Sequence, residues 1–286
     1  MYVIHSLRDK MKRIQSPSSI NTYFQCPRKY FFIYNLKMPT SPSIHLVRGT
    51  IAHSVLENLF VIEPAILSEN FENELKIISL ELLKKYWAEN KKDLDVLGLL
   101  EEELNRYYEE TQMMMLNWIS HFVKKIKKET SKGLSISEAF VKLKPQTEVL
   151  YSSDEFMIRG YIDAIEEIDG EIRLMDYKTS KKSEITKEYR LQLGIYALMY
   201  QLKHGMLPHK VGIYFLKDAE KLLEVDEDLI QNAKFMIEQI HMSTDGMDEI
   251  HQYPKKESPL CKWSNGQCDF YDYCFKGKLV PEKPLR

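Results

Sequence analysis

Residues 156–179 read Phe156-Met-Ile-Arg-Gly160-Tyr-Ile-Asp163-Ala-Ile-Glu-Glu-Ile-Asp169-Gly170-Glu-Ile-Arg-Leu-Met-Asp176-Tyr-Lys178-Thr179. Two β-like runs flank Asp169-Gly170, the strongest short-range signal for a two-residue hairpin turn, because both central residues of that turn need φ > 0. The turn sets Ile168 opposite Glu171, so that all cross-strand partners sum to 339. Asp163 is then expected opposite Asp176, their Cβ atoms about 4.5–5.5 Å apart, with Lys178 on the same face two residues on. Like charges directly opposed weaken a sheet unless a cation sits between them, and a divalent metal is the natural candidate. The competing reading is an exposed face with two solvated acids. Apolar Ile162, Ile165, Leu174 and Met175 argue against it, since they imply a sheet covered on both sides, where bare acids are expensive.

Outward from the hairpin, the spacing predicts another strand over residues 147–151, a helix over 185–204, a strand over 211–216 and a helix over 226–242. Upstream, Pro17-Ser18-Ser19 opens a helical pattern capped by Ser18 or Ser19, and Pro27 breaks it at Cys26. A helix is expected over 49–60, and two or three more over 68–132, a stretch rich in Leu, Glu, Lys and Met with no proline. The plan is α/β. It divides into an N-terminal segment 1–62, a helical insertion 63–140, a mixed-sheet core 141–245 and a cysteine-bearing tail 246–286.

At 44% hydrophobic and 29% charged, the 286-residue chain has enough apolar surface to fold, which excludes disordered and low-complexity classes. No run free of Asp, Glu, Lys and Arg exceeds the 14 residues 14–27, so no transmembrane helix is expected, and residues 1–14 do not read as a secretory signal. An intracellular, cytoplasmic protein follows as the expectation. A net charge of -2 argues against a globally cationic nucleic-acid coat and leaves room for a local basic channel; residues 1–37 carry seven Lys or Arg against one Asp. The four cysteines are lopsided: Cys26, then Cys261, Cys268 and Cys274. A disulfide scaffold does not suit a chain this long without an export signal, which turns attention to metal or cluster ligation.

Four short motifs in order resemble those of RecB-type nucleases in the PD-(D/E)XK superfamily. They are Arg48-Gly49-Thr50-Ile51-Ala52-His53 with Leu56-Glu57, then Gly160-Tyr161-Ile162-Asp163, then Asp176-Tyr177-Lys178-Thr179, then Gln192-Leu193-Gly194-Ile195-Tyr196. The resemblance implies a restriction-endonuclease-like sheet flanked by helices and a metal-dependent DNA nuclease. By the same resemblance His53, Asp163, Asp176 and the carbonyl of Tyr177 bind Mg²⁺ or Mn²⁺, and Lys178 assists the attacking water. Gln192 and Tyr196, one helical turn apart, would face the site and the DNA backbone, with plain packing of Tyr196 as the alternative. A histidine alone on an amphipathic helix reads as structural, and the adjoining motif is what makes His53 a ligand, with Glu57 one turn on to orient its ring. Glu148 could share the face of Asp163 or pair with Arg159.

Residues 19–30, which hold Tyr23, Phe24, Cys26, Arg28, Lys29 and Tyr30, resemble the N-terminal signature of iron–sulfur RecB-like nucleases, AddB-type helicase–nucleases and CRISPR-associated exonucleases among them. That resemblance implies a [4Fe–4S] cluster on Cys26, Cys261, Cys268 and Cys274, with zinc as the chemical alternative. The cluster would fasten the tail to the N-terminal corner across 234 intervening residues. Arg28 and Lys29 could meet phosphates, and the aromatics could stack on bases or pack in the core. The chain lacks a G-x-x-x-x-G-K-[ST] loop, so unwinding would need a helicase partner. The expected activity is an exonuclease on single-stranded DNA ends, in CRISPR spacer acquisition with integration proteins or, failing that, in repair or recombination. A non-catalytic DNA-binding subunit is the rival class.

Overall fold

The computed structural model describes residues 13–264 and 266–281; the reading of the extreme N-terminus lies outside them. The chain begins with α1 (Pro17–Gln25) and α2 (Pro27–Tyr30), which widens into a π-helical turn over Phe31–Asn35. Cys26 sits extended at the break between them, as Pro27 dictates. The cap of α1 is Ser16, two residues before Ser18, the nearer of the two expected caps, because Pro17 takes the first helical position and Ser19 reciprocates Ser16 in a capping box. Then follow α3 (Ile44–Leu59), α4 (Phe71–Glu89), α5 (Lys91–Val96), α6 (Glu101–Thr130) and α7 (Ile136–Leu143). The last is not among the expected helices, although its capping box, Ser135 with Glu138, is visible in the sequence.

The sheet runs in the order β1 (Gln146–Ser153), β2 (Ile158–Ile168), β3 (Glu171–Lys178), β4 (Lys210–Phe215), β5 (Glu220–Glu224). Neighbours are antiparallel except β3 and β4, which are parallel and joined through α8 (Lys187–His204). Asp169 and Gly170 turn the β2–β3 hairpin at φ 51° and 83°, and Ile168 pairs with Glu171, the register expected from the sequence. The edge strand β5, Glu-Lys-Leu-Leu-Glu, is short and half-buried, too polar to stand out from its surroundings. After it come α9 (Glu227–Thr244), the small hairpin β6 (Lys262–Trp263) and β7 (Gly266–Gln267), and α10 (Tyr271–Phe275).

Each face of the sheet has its own core. One packs α1, α8, α9 and the tail residues Tyr253 and Phe270 against Ile162, Leu174 and Ile213. The other packs α3, α4, α6 and α7 against Ala164, Met175 and Tyr177, with Phe60, Trp118, Phe122 and Phe140 at its centre. Gly194 of α8 serves this layering: a Cβ there would meet the carbonyl oxygen of Leu229 on α9 at 3.0 Å. No described helix is long and apolar enough to cross a membrane.

Candidate active site

Three strands bring acids to one level. Glu148 on β1 and Asp163 on β2 share the register step between the pairs Thr147↔Ala164 and Val149↔Ile162. Asp163 and Asp176 share the step after Ala164↔Met175. The β1–β2 ladder skips its step and the β2–β3 ladder ends just short of its own, and Glu148 is left-handed at φ 49°, a strained conformation for an L residue. Ile158, Ile162 and Ile165 of β2 face one core while Ala164 faces the other, so the pleat slips by one residue at Asp163. Such irregularities re-aim side chains. The acids therefore depart from the flat opposed pair expected: Asp163 turns Oδ2 onto the backbone N–H of Tyr177, which donates to it at 2.8 Å. That bond gives Asp163 a donor where a flat pair would offer only a second carboxylate.

His53 reaches this level from α3. Its Nδ1 lies 3.4 Å from Asp163 Oδ2 and 3.8 Å from Glu148 Oε1, while Nε2 is 2.9 Å from the carbonyl oxygen of Tyr177. Glu57 does not orient the ring, contrary to expectation; it is exposed on the cleft wall. Ligand atoms of His53, Glu148 and Asp163 all lie within 4.8 Å of one another, close enough to grip one ion. Burial opposes charge on His53, yet Glu148, Asp163 and Asp176 outweigh it and raise its pKa to about 9. Burial, then the charge of Asp176, raises Asp163 to about 7. Excess negative charge in a desolvated place is the electrostatic signature of a cation site.

Asp176, 1% exposed, stands next to that trio and outside the 4.8 Å group. Its Oδ1 accepts from Gln192 Nε2 at 2.7 Å. Its Oδ2 lies 2.7 Å from Lys178 Nζ as an ion pair, without the alignment of a hydrogen bond, and is otherwise unpartnered. A buried carboxylate oxygen so placed fits a hard divalent ion, for which oxygen donors are the preferred set. Burial lowers and Asp176 more than restores the Lys178 pKa, which ends above its ordinary value, so the amine is charged at neutral pH. Gln192 also donates to Tyr196 Oη at 2.7 Å. Tyr196 is 4% exposed, so it props Gln192 from the buried side and does not face the DNA backbone as expected.

The four cysteines converge although they come from opposite ends of the chain. All are half-buried and line one 20 Å³ cavity together with Lys29, Lys255 and Lys256. Arg28 Nε donates to the carbonyl of Tyr253 at 2.6 Å and so ties the tail down instead of waiting for a phosphate. Tyr23, Tyr30 and Tyr253 pack edge-on and stacked beneath the corner, Tyr30 being 1% exposed; these rings belong to the core and are not base platforms.

Glu148 is the residue that sequence reasoning undervalued. Four residues, 154–157, join β1 to β2, and that length does not fix a register as Asp-Gly does. The sequence model of the PD-(D/E)XK nuclease superfamily matches residues 15–275. The chain belongs to that superfamily. Like other PD-(D/E)XK proteins it carries its acids and lysine on a mixed sheet between helices. It is 27% identical over 285 residues to the gene 69 protein of Mycobacterium phage D29, covering 91% of this chain and 96% of that one. The gene 69 protein of phage L5 is 27% identical over 233 residues, covering 71% and 76%. In fold, this PD-(D/E)XK protein is similar to a crystal structure of a candidate exonuclease from Eubacterium rectale, at a TM-score of 0.52 and 12% identity over 100% of this chain and 96% of that one.

Proposed function

We propose that this nuclease is a Mg²⁺- or Mn²⁺-dependent DNA exonuclease acting at single-stranded ends. The observation that carries the reading is the convergence of His53, Glu148 and Asp163 within 4.8 Å, beside an Asp176–Lys178 pair on the next strand. A bound divalent ion supplies Lewis-acid charge against the anionic phosphodiester and lowers the pKa of water. His53, Asp163, Asp176, Glu148 and the Tyr177 carbonyl are the groups that would hold it. His53 must shed a proton to do so, since both ring nitrogens face acceptors. Lys178, charged and fixed by Asp176, stabilises the negative charge that builds on phosphorus-bound oxygens as the water–phosphorus bond forms and the sugar–oxygen bond to phosphorus breaks. Gln192 and Tyr196 hold Asp176 in place.

The cysteine corner is assigned to a [4Fe–4S] cluster. The convergence of all four thiols on one small cavity supports it, four thiolates being the ligand set of such a cluster, with zinc as the chemical alternative, and the three lysines around them would offset thiolate charge. Anaerobically purified protein should carry iron and visible absorbance; a zinc-only protein would reject the assignment.

Digestion of end-labelled single-stranded DNA with Mg²⁺ or Mn²⁺ tests the activity, with circular single strands as the control that must resist. Equal cleavage by wild type and Asp176→Ala would sink the site, and no cleavage by wild type would favour a non-catalytic DNA-binding subunit. For the biological setting, the relatives that match along most of the chain are phage proteins, which favours recombination or repair with a helicase over CRISPR spacer trimming. Stimulation on duplex ends by a helicase, and none by integration proteins, is the expected outcome.

A further inference from the structure

Beside the acid cleft lies another of 670 Å³ that shares His45, Lys178 and Thr179 with it and carries the opposite charge. Arg48, Arg106, Lys178 and Lys181 line it against one acid, Glu110. That acid is already answered twice, by Arg48 Nη1 at 2.9 Å and by Lys217 Nζ at 2.7 Å. Arg48 is 2% exposed and donates from Nη2 to the Thr179 carbonyl at 3.3 Å, but its Nε has no hydrogen-bond partner. An unpaired N–H on a buried guanidinium is costly unless a ligand satisfies it. The positive excess shows in His45, whose pKa is pushed down by burial and then by Arg48 and Lys217. Two rings line the same cleft: Tyr107, with Arg48 and Arg106 at 5.4 and 5.6 Å from its centre, and Tyr189, with Lys178 Nζ at 5.4 Å.

We propose that this cleft is the phosphate-anchoring subsite of the substrate strand, in which Arg48, Arg106 and Lys181 take a DNA phosphate next to the one cut at Lys178. Where Arg106 or Lys178 swings off its ring to meet a phosphate, the bared face of Tyr107 or Tyr189 can take only an unstacked base, and this gives single strands their preference. The inference rests on the nuclease reading and deepens it. The phosphate is either a terminal monoester or an internal diester. Arg48 alone is built in, through its ion pair with Glu110; Arg106 and Lys181 are exposed and removable.

Anisotropy titration of the full chain in EDTA, where nothing is cut, tests the subsite apart from catalysis. The probes are fluorescent oligothymidylates ending in 5′-phosphate, 3′-phosphate or hydroxyl, with circular single-stranded DNA as competitor. The double variant Arg106→Ala/Lys181→Ala should bind about tenfold more weakly or worse, with a salt dependence flatter by about 0.7 for each phosphate it no longer neutralises. Arg48→Lys, if its melting curve matches wild type, should weaken binding too, because the fork is removed while the charge is kept. A defect confined to phosphorylated ends identifies the terminal monoester; an equal defect on every probe identifies the internal diester. Unchanged affinity and salt dependence in the double variant overturns the subsite. Wild type that binds but never cleaves with Mg²⁺ or Mn²⁺ overturns the nuclease reading alone.

Discussion

The acid cleft and the cysteine corner, each proposed above to hold metal, are built in opposite ways. In the cleft, Glu148, Asp163 and Asp176 lie on three adjacent strands within thirty residues, and only His53 comes from afar. At the corner, Cys26 must find partners more than 230 residues later, and the meeting rests on core packing of Tyr23, Tyr30 and Tyr253 and on the Arg28–Tyr253 hydrogen bond. The first site concentrates like charge at the expense of stability; the second joins chain ends and adds to it. Chemistry and cohesion are thus separated in space, and they should fail separately.

The sharpest break comes from Asp176→Ala or Lys178→Ala, each expected to reduce cleavage by ~10³-fold or more while the melting temperature stays near wild type. Loss of fold instead of activity would erase the distinction between the regions. Cys26→Ser should do the reverse: iron is lost and stability falls by ~2–5 kcal/mol, the range for removing a cross-link between distant segments, as read by urea unfolding under anaerobic conditions. Next in size, Glu148→Gln should weaken Mn²⁺ binding ~10–100-fold by calorimetric titration, and an unchanged affinity would remove Glu148 from the ligand set.

Proton linkage gives a finer test. His53 is raised from 6.5 to about 9, so the stability it contributes is complete below pH 6.5 and is lost as pH rises through 9. Asp163 is raised from 3.8 to about 7, so the fold favours its protonated form and loses stability as pH rises from about 4 to 7. Both slopes have the same sign. Without divalent metal, thermal stability should fall from about pH 4 to pH 9, and Mg²⁺ or Mn²⁺ should flatten the decline; a metal-free melting temperature that rises over pH 6.5–9 contradicts the cleft as described. The smallest effect is expected of Tyr196→Phe, which removes one acceptor from Gln192 and should lower kcat by about threefold to tenfold with KM unchanged.

Most of the cleft was legible because a two-residue turn transmits its register along both strands: Asp169-Gly170 alone placed Asp163 and Asp176 at one level, and pleat alternation added Lys178. The bend at Cys26 was legible for a similar local reason, proline's restriction of its predecessor. What escaped was non-local. The slip of the pleat at Asp163 and the left-handed Glu148 arise where three strands bring three acids to one level, and neither residue signals it by its own preference. The family resemblance pointed Tyr196 at the DNA backbone, yet tertiary packing buried it.

Sequence by itself determined the hairpin register, the metal-type acids on one strand level and the four thiols at two ends of the chain, because turns, pleats and residue chemistry act over a few residues. Tertiary structure alone decided that Glu148 joins His53, that Arg48 lines a basic cleft with its Nε left unpartnered, and that Cys26 meets Cys261, Cys268 and Cys274. Those outcomes depend on which helix covers which face of the sheet, a choice made by the summed burial of two separate cores rather than by any local stretch.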